Sequence, residues 1–331
     1  MYARVDRERA ESVRRILLES GVWDSGCRVL REEGYVFFPV SGRVDVSGVE
    51  FVEREGISRE RLPQSIRESL EGVLTGGELD LVPSSFDVIG DICVLELPEV
   101  LVGKKKVVGT AVLDTFKNIK VVLLKTGRVG SEFRVPSVEV IAGENRTETV
   151  HTEHGLRYKL DVARVYFSPR LSGERLRVAG QVAGGERVLV MFAGVGPYAV
   201  LVSRLSGAVV SAVELNPVAV DYLRRNVLLN KVKVDVYGGD VREVVPTLGV
   251  FDRIVMPLPK DSSHFLDVAL PALRKGGVVH YYVFAGNTLE ASGGAVESAG
   301  MLGYVTEVLD VVECGSFAPG VSRFCVDFKA K

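Results

Sequence analysis

The chain is poor in the residues on which secreted, metal-bound and membrane folds depend. Its 331 residues include four cysteines. These are Cys27, Cys93, Cys314 and Cys325, and no two stand at the C-x-x-C spacing of structural zinc or redox sites, so reduced thiols are expected. His151 and His154 are spaced closely enough to share a metal, but no third ligand is near them in sequence and no metal is expected. No apolar run reaches the roughly 18 residues of a spanning helix, and no leader with a charged start and apolar middle opens the chain. A cytoplasmic protein is expected. Internal repeats and low-complexity segments are missing as well, which excludes a solenoid. Lys and Arg number 41 against 43 Asp and Glu, a net charge of −2, so the molecule as a whole does not call for a polyanionic partner.

What is present is a globular composition, 47% apolar and 25% charged, and a length that suggests two or three domains. Residues 2–19 carry apolar positions at near-helical spacing and predict an opening amphipathic helix. Residues 28–40 read as a hairpin about Gly34, and 44–51 as a further strand. A helix-like stretch over 59–70 then leads to a polar linker over 71–81. Strands are expected at 88–95, 121–124 and 138–142, with a basic helix between them and a late hairpin. From Arg187 onward strand and helix alternate regularly, which means a mostly parallel sheet covered on both faces, closed by an antiparallel pair at 303–312 and 323–328. The expected organisation is α/β: small α+β units at 1–75 and 76–165, then a Rossmann-like domain at 166–331.

Three signals in that last domain mark a nucleotide site. The turn Phe192–Ala193–Gly194–Val195–Gly196–Pro197–Tyr198 joins strand to helix through two glycines, which let the backbone approach a ligand. Glu214 ends the second strand, where a carboxylate can accept hydrogen bonds from two ribose hydroxyls. Asp240, after the third strand, can meet the amino edge of adenine. Successive strand ends are where open α/β sheets bind ligands. Spacing alone leaves a nicotinamide or flavin enzyme open, and Glu214 or Asp240 could simply cap helices. The whole pattern, FAGVGP then VELNP then GGDV then DRIVMPLP, resembles class I S-adenosylmethionine methyltransferases more than dehydrogenases.

Charge is uneven along the chain. Between Gly103 and Arg134 stand Lys104, Lys105, Lys106, Lys117, Lys120, Lys125, Arg128 and Arg134, opposed only by Asp114 and Glu132. A second basic stretch holds Arg157, Lys159, Arg164, Arg170, Arg175 and Arg177. Local patches of this kind bind phosphate backbones, although a solvated face reads the same way.

Four segments occur in one order: Ser85–Phe86–Asp87–Val88–Ile89–Gly90–Asp91–Ile92, Val140–Ile141–Ala142–Gly143–Glu144–Asn145, Tyr166–Phe167–Ser168–Pro169–Arg170–Leu171 with Glu174–Arg175, and the FAGVGP turn. Their order resembles the archaeal and eukaryotic tRNA (guanine-37-N1)-methyltransferase family over nearly the whole chain. The resemblance implies S-adenosylmethionine as cofactor and tRNA as partner. The first unit would lie at the tRNA elbow and the middle unit at the anticodon arm, and methyl transfer would go to N1 of the guanosine 3′ of the anticodon. It also implies Glu174 as general base, Arg134 as the cation that meets charge on O6, and Tyr166 beside the target base. Cofactor contacts would come from Phe192, Ala193, Gly194, Gly196, Pro197, Glu214, Asn216, Asp240 and Pro259. RNA contacts would come from Lys104, Lys105, Lys106, Lys120 and Arg170. One departure stands out: family members commonly place Asn-Leu-Pro after the fourth strand, and here the segment is Met256–Pro257–Leu258–Pro259. That keeps open a related enzyme of wyosine synthesis, acting by methyl or aminocarboxypropyl transfer on the modified guanosine. An inactive tRNA-binding protein is the alternative from another class.

Overall fold

The computed structural model describes residues 1–57, 63–127, 135 and 137–331. The chain divides into two compact units, Met1–Ser65 and Ile66–Lys331.

The first unit opens on a strand, not the expected helix: β1 (Tyr2–Asp6) precedes α1 (Ala10–Glu19). Tyr2, Ala3 and Val5 are buried because β1 is the inner strand between β3 (Tyr35–Pro39) and β4 (Glu50–Val52), and only Val13 and Leu17 of α1 reach the core. The hairpin about Gly34 is present, with β2 (Leu30–Glu32) on the far side of β3. The strand expected over 44–51 shrinks to β4, which pairs only where it faces β1.

In the second unit the stretch expected as a linker is folded. Short helices α2 (Ile66–Ser69) and α3 (Gly76–Leu79) flank Leu70 and Leu74, both buried with Cys93, Leu101 and Val108. Thr75 caps α3, its backbone N–H and hydroxyl both donating to Glu78 at 2.9 Å. Apolar anchors at Ile66, Leu70 and Leu74 draw this segment into the core, which puts the division of the chain at Ser65 and not near residue 75. Part of the helix expected over 59–70 lies outside the described residues.

A sheet of β5 (Asp87–Ile89), β6 (Ile92–Leu95), β7 (Val121–Lys125) and β8 (Val138–Gly143) follows in that spatial order. Helices α4 (Glu99–Val102) and α5 (Lys105–Thr115) make the crossover between the parallel strands β6 and β7. The hairpin β9 (Glu148–Glu153) and β10 (Leu156–Asp161) comes next, then α6 (Ser172–Gly180).

The large sheet is built from β11 (Arg187–Met191), β12 (Val209–Glu214), β13 (Val234–Gly238), β14 (Phe251–Met256), β15 (Leu273–Ala285), β16 (Thr306–Ala318) and β17 (Val321–Ala330). Its order is β13-β12-β11-β14-β15-β17-β16. The first five are parallel, and β17 inserts antiparallel between β15 and β16, as the terminal pair predicts. Helices α7 (Pro197–Ser206), α8 (Pro217–Leu229), α9 (Val241–Val244), α10 (Leu266–Ala269) and α11 (Thr288–Met301) complete the alternation. Apolar strands such as Val188–Met191 are buried on both faces, which is why they read as continuous runs without alternation.

The hairpin is tied to this sheet by side-chain amides that imitate a neighbouring strand. Asn226 of α8 accepts from Lys159 N at 2.7 Å, and its Nδ2 donates to Lys159 O at 3.1 Å and to Val195 O at 2.9 Å. Asn230, one turn on, accepts from Arg157 N at 2.8 Å and donates to Arg157 O at 2.7 Å. Residues 157 and 159 offer their backbone groups in the same direction, as alternate residues of a strand do, and the i, i+4 spacing on a helix matches that repeat. Replacing Asn226 by Ala orphans three buried backbone groups, and we expect the unfolding free energy to fall by about 3 kcal/mol. Chemical denaturation of Asn226→Ala checks this; a loss below about 1 kcal/mol would show that the amide bridge adds little.

Candidate active site

Strand order reverses between β11 and β14, and the loops at the carboxyl ends of these strands surround a crevice. The glycine turn lies at its floor. Gly196 has φ of +91°, and a Cβ there would stand 2.1 Å from Leu223 Cδ1, so only glycine fits. At Gly194, φ is +56°, and the nearest atom to an added Cβ is Tyr166 O at 3.7 Å. Gly196 thus packs the turn on α8, and the half-buried Gly194 is bordered by the Tyr166 backbone. Ala193 N donates to Val213 O at 3.0 Å, and Pro197 begins α7 where its missing N–H costs nothing.

Glu214 joins the turn to the next loop. Its Oε2 accepts from Gly194 N at 2.7 Å and its Oε1 from Asn216 N at 2.8 Å. Burial pushes this carboxyl upward in pKa, opposed by the backbone N–H groups of Asn216, Gly194 and Leu215. Each oxygen keeps a lone pair for a further donor. Asn216, not Glu214, caps α8, accepting from Val218 N at 3.0 Å while its amide donates to Arg164 O at 3.0 Å. Asp240 caps α9 through one oxygen, accepting from Arg242 N at 2.8 Å. Beyond β14, Leu258 N donates to Met256 O at 2.8 Å, and Pro257 and Pro259 are half-buried at the edge of the crevice.

Glu174 sits in the first turn of α6 and is buried. Arg177 donates to it twice, Nε at 2.7 Å and Nη2 at 2.8 Å, and the Tyr282 hydroxyl donates at 2.5 Å. Tyr198, the second residue of α7, donates to Tyr282 at 2.9 Å, which brings the network to the glycine turn. In the other direction Arg177 Nη1 donates to Asp327 at 2.6 Å, Asp327 accepts from His280 Nδ1 at 2.6 Å, Arg253 donates to His280 Nε2 at 2.9 Å, and Arg253 Nε donates to Glu186 at 2.8 Å. Because His280 Nε2 accepts, the ring carries its proton on Nδ1 and is neutral. Burial alone would raise the Asp327 carboxyl, but hydrogen bonds from His280 and Arg177 hold it well below the usual carboxylate range. His280, Cys325 and Asp327 cluster closely enough to hold a metal. Arg177 and Arg253 already bond to that cluster, and their charge opposes a cation.

The basic stretches are less cationic than they read. Lys104 pairs with Glu78 at 2.6 Å, Lys105 with Glu139 at 2.7 Å, Lys125 with Glu96 at 2.6 Å and Arg170 with Asp87 at 2.7 Å. Lys106 and Lys120 have no carboxylate partner among the described residues, and Lys120 Nζ donates to Lys117 O at 3.2 Å. The second stretch is largely structural. Arg175 is buried against Glu153, Arg177 belongs to the Glu174 network and Lys159 pairs with Glu148 at 3.2 Å. Arg128 and Arg134 lie outside the described residues. His151 Nδ1 accepts from Gly90 N at 3.1 Å, and His154 bonds to Ser172, so the two rings serve separate structural contacts.

Residues 149–297 match the TRM5/TYW2 methyltransferase domain, 66–147 the TYW2 N-terminal domain and 4–47 the tRNA methyltransferase 5 N-terminal domain. The tRNA (guanine(37)-N(1))-methyltransferase Trm5b of Pyrococcus abyssi is 40% identical, with 99% of this chain and 98% of that protein covered. The chain belongs to the TRM5/TYW2 methyltransferase family. The structure solved as the complex of aTrm5 and tRNALeu superposes with a TM-score of 0.83 at 32% identity, covering 99% of each chain. The tRNA(Phe) (4-demethylwyosine(37)-C(7)) aminocarboxypropyltransferase of Pyrococcus horikoshii is 33% identical, covering 80% of this chain and 95% of that protein.

Within this family fold, sequence reading missed several site-forming groups. Phe192 takes a left-handed φ of +53°, uncommon for a bulky residue, and meets Phe265 edge-on at 4.8 Å. Tyr282, His280 and Asp327 lie more than 100 residues beyond Glu174, so no local pattern linked them. The one local signal was a polar residue inside an apolar strand. A cavity of about 710 Å³ lies away from the crevice, between the β5–β6 turn and β9, with Asp91 and Arg146 already bonded to each other at its wall.

Burial lowers the pKa of both His280 and His151. With folded values below the unfolded 6.5, the unfolded chain takes up protons that the native state refuses, so stability is full above pH 7 and lost as pH falls. We expect the unfolding free energy to decline between pH 7 and 5, with a slope approaching about 1.4 kcal/mol per pH unit for each histidine. Denaturation across that range checks it; a flat profile would contradict neutral burial.

Proposed function

We propose that the protein is an S-adenosylmethionine-dependent tRNA methyltransferase that forms N1-methylguanosine at position 37, working in the cytoplasm. One observation carries this reading: the likeness to Trm5b runs through 99% of the chain, including residues 4–47, whereas the aminocarboxypropyltransferase covers 80% of it. The crevice fits the cofactor. Gly194 offers bare backbone, Gly196 lets the turn pack on Leu223, Glu214 keeps two acceptor positions for ribose hydroxyls, and Asp240 stands at the next strand end for an adenine amino group. Phe192, Ala193, Pro197, Asn216 and Pro259 complete the proposed cradle. When bound, the cofactor supplies a methyl group on a cationic sulfur, an electrophile that needs no metal.

What remains for the chain is to hold the guanine and move one proton. N1 is protonated at neutral pH, and its lone pair becomes nucleophilic only when that proton leaves. We assign the proton to Glu174, which Arg177 holds in place through two hydrogen bonds. Its Oε1 accepts from both Tyr282 and Arg177 and its Oε2 from Arg177 alone, so Oε2 keeps the lone pair that would take the proton. Tyr166, 44% exposed beside the glycine turn, is assigned to contact with the base. Arg134 is assigned to O6, where negative charge grows as N1 ionises. Lys106 and Lys120, without a carboxylate partner among the described residues, are assigned to phosphates. Lys105 would exchange the exposed Glu139 carboxylate for a phosphate at small cost, since such surface pairs contribute about 0–1 kcal/mol, and Lys104 and Arg170 would have to leave the half-buried Glu78 and Asp87. The first unit is assigned to the tRNA elbow and the middle of the chain to the anticodon arm.

Pro257 favours a second reading, methyl or aminocarboxypropyl transfer to a wyosine intermediate, because it offers no amide to a guanine edge. Unmodified tRNA transcript incubated with S-adenosylmethionine and digested to nucleosides separates the two. We expect N1-methylguanosine by mass; its absence, with product only on 4-demethylwyosine tRNA, would select the second.

The role of Glu174 is tested against its structural setting. Glu174→Gln should bind S-adenosylhomocysteine and tRNA as wild type does and lose about 10²–10⁴-fold in single-turnover rate. Asp327→Asn disturbs the same network from the far side and should lower thermal stability with a smaller loss of rate. Equal losses of rate and stability in both variants would make Glu174 a structural carboxylate only.

A further inference from the structure

On the rim of the crevice the sheet carries an aromatic cluster that the methyl-transfer reading leaves unused. Phe284, near the carboxyl end of β15, pairs in register with Arg323 of β17. Phe317, at the tip of the β16–β17 hairpin, stacks on Phe284 with ring centroids 4.0 Å apart and planes inclined by 27°. Arg323 lies over Phe284 at 5.7 Å, and its Nη2 stands 3.5 Å from the Tyr166 hydroxyl. The cluster thus reaches the residue that borders the glycine turn.

Three features say what this surface takes. Phe317 is 63% exposed, and its outer face is free while its inner face is backed by a second ring. A ring held rigidly in this way presents a flat apolar platform at little entropic cost. Arg323 has no carboxylate partner among the described residues, and its Nε is buried without an acceptor, so its charge is not neutralised by the protein. Around Phe317 the chain is small and polar: Gly315, Ser316, Pro319 and Gly320 are all exposed. An apolar protein interface would surround the ring with further apolar surface. A lone platform with an unneutralised guanidinium is the combination that receives one unstacked base and its phosphate.

We propose that Phe317, backed by Phe284 and Arg323, is a stacking platform for an anticodon-loop base that flanks the target guanosine, with Arg323 facing that nucleotide's phosphate. The inference rests on the tRNA reading above for its RNA. Phe317 sets the position of the loop, and so acts on RNA binding and not on the cofactor.

The test uses the full chain and an anticodon stem-loop carrying 2-aminopurine on either side of the guanosine, with S-adenosylhomocysteine present. In the wild type, binding should quench one of the two probes. Phe317→Ala should abolish that quenching and weaken RNA binding about tenfold, while its affinity for S-adenosylhomocysteine stays unchanged and Phe317→Tyr restores both signals. Arg323→Gln should weaken binding and flatten its salt dependence. Unaltered quenching and affinity in Phe317→Ala would overturn the platform, as would a variant altered only in self-association, which would make the patch a contact between copies. Methyl transfer to unmodified tRNA by the wild type is measured in parallel. Its failure with quenching intact sinks the assigned reaction alone, and its success with Phe317→Ala behaving as wild type sinks the platform alone.

Discussion

The site depends on one buried amide. Asn226 bonds at once to the edge of β10 through Lys159 and to the glycine turn through Val195. A helix side chain thereby fixes the distance between the hairpin that closes the middle of the chain and the loop that forms the floor of the crevice. The segment leaving that hairpin carries Tyr166 and then Glu174, so the same contact sets where both can stand. Asn216 repeats the device on a smaller scale, holding Arg164 O while capping α8. Amides suit this work because one side chain both donates and accepts, matching a strand edge without bringing charge into the core.

Beside the crevice runs a line of buried charge: Glu186, Arg253, His280, Asp327, Arg177 and Glu174. Each member is bonded to the next, so signs alternate around a neutral imidazole and no charge is left alone. A network of this kind need not stabilise more than apolar packing would, because desolvation offsets the attraction. Its consequence is geometric. It connects α6 to β14, β15 and β17, and it ends on the Tyr282 and Tyr198 hydroxyls at the start of α7. The carboxylate assigned to proton transfer is therefore held from two sides, by Arg177 of its own helix and by Tyr282 of β15.

Legibility followed locality. The parallel alternation after Arg187, the glycine turn, Glu214 and Asp240 were all readable because strand, turn and helix N-terminus are neighbours in sequence. The capping role weighed for both acids holds for one of them: Asp240 caps α9, whereas Glu214 clamps the glycine turn to the next loop. Reading went astray where a pattern was ambiguous at short range. Tyr2–Asp6 shares apolar spacing with a helix, and only the backbones of β3 and β4 make it a strand. The stretch 71–81 is polar enough for a linker, yet Leu74 and a capped turn anchor it. Lys104, Lys105 and Lys125 looked free because Glu78, Glu139 and Glu96 lie outside the basic stretch and reach them only in three dimensions.

By itself, the sequence determined the class of fold and the family, because these rest on periodicity and on motifs a few residues long. Tertiary structure alone decided what each charged group does. A carboxylate or guanidinium has the same letter whether it meets water, a phosphate or a buried partner, and its basicity and reach follow from desolvation and from neighbours contributed by distant strands. Arg175 became a buried strut, Glu174 the end of a bonded chain, and Phe317 an open ring only when β15, β16 and β17 were laid side by side.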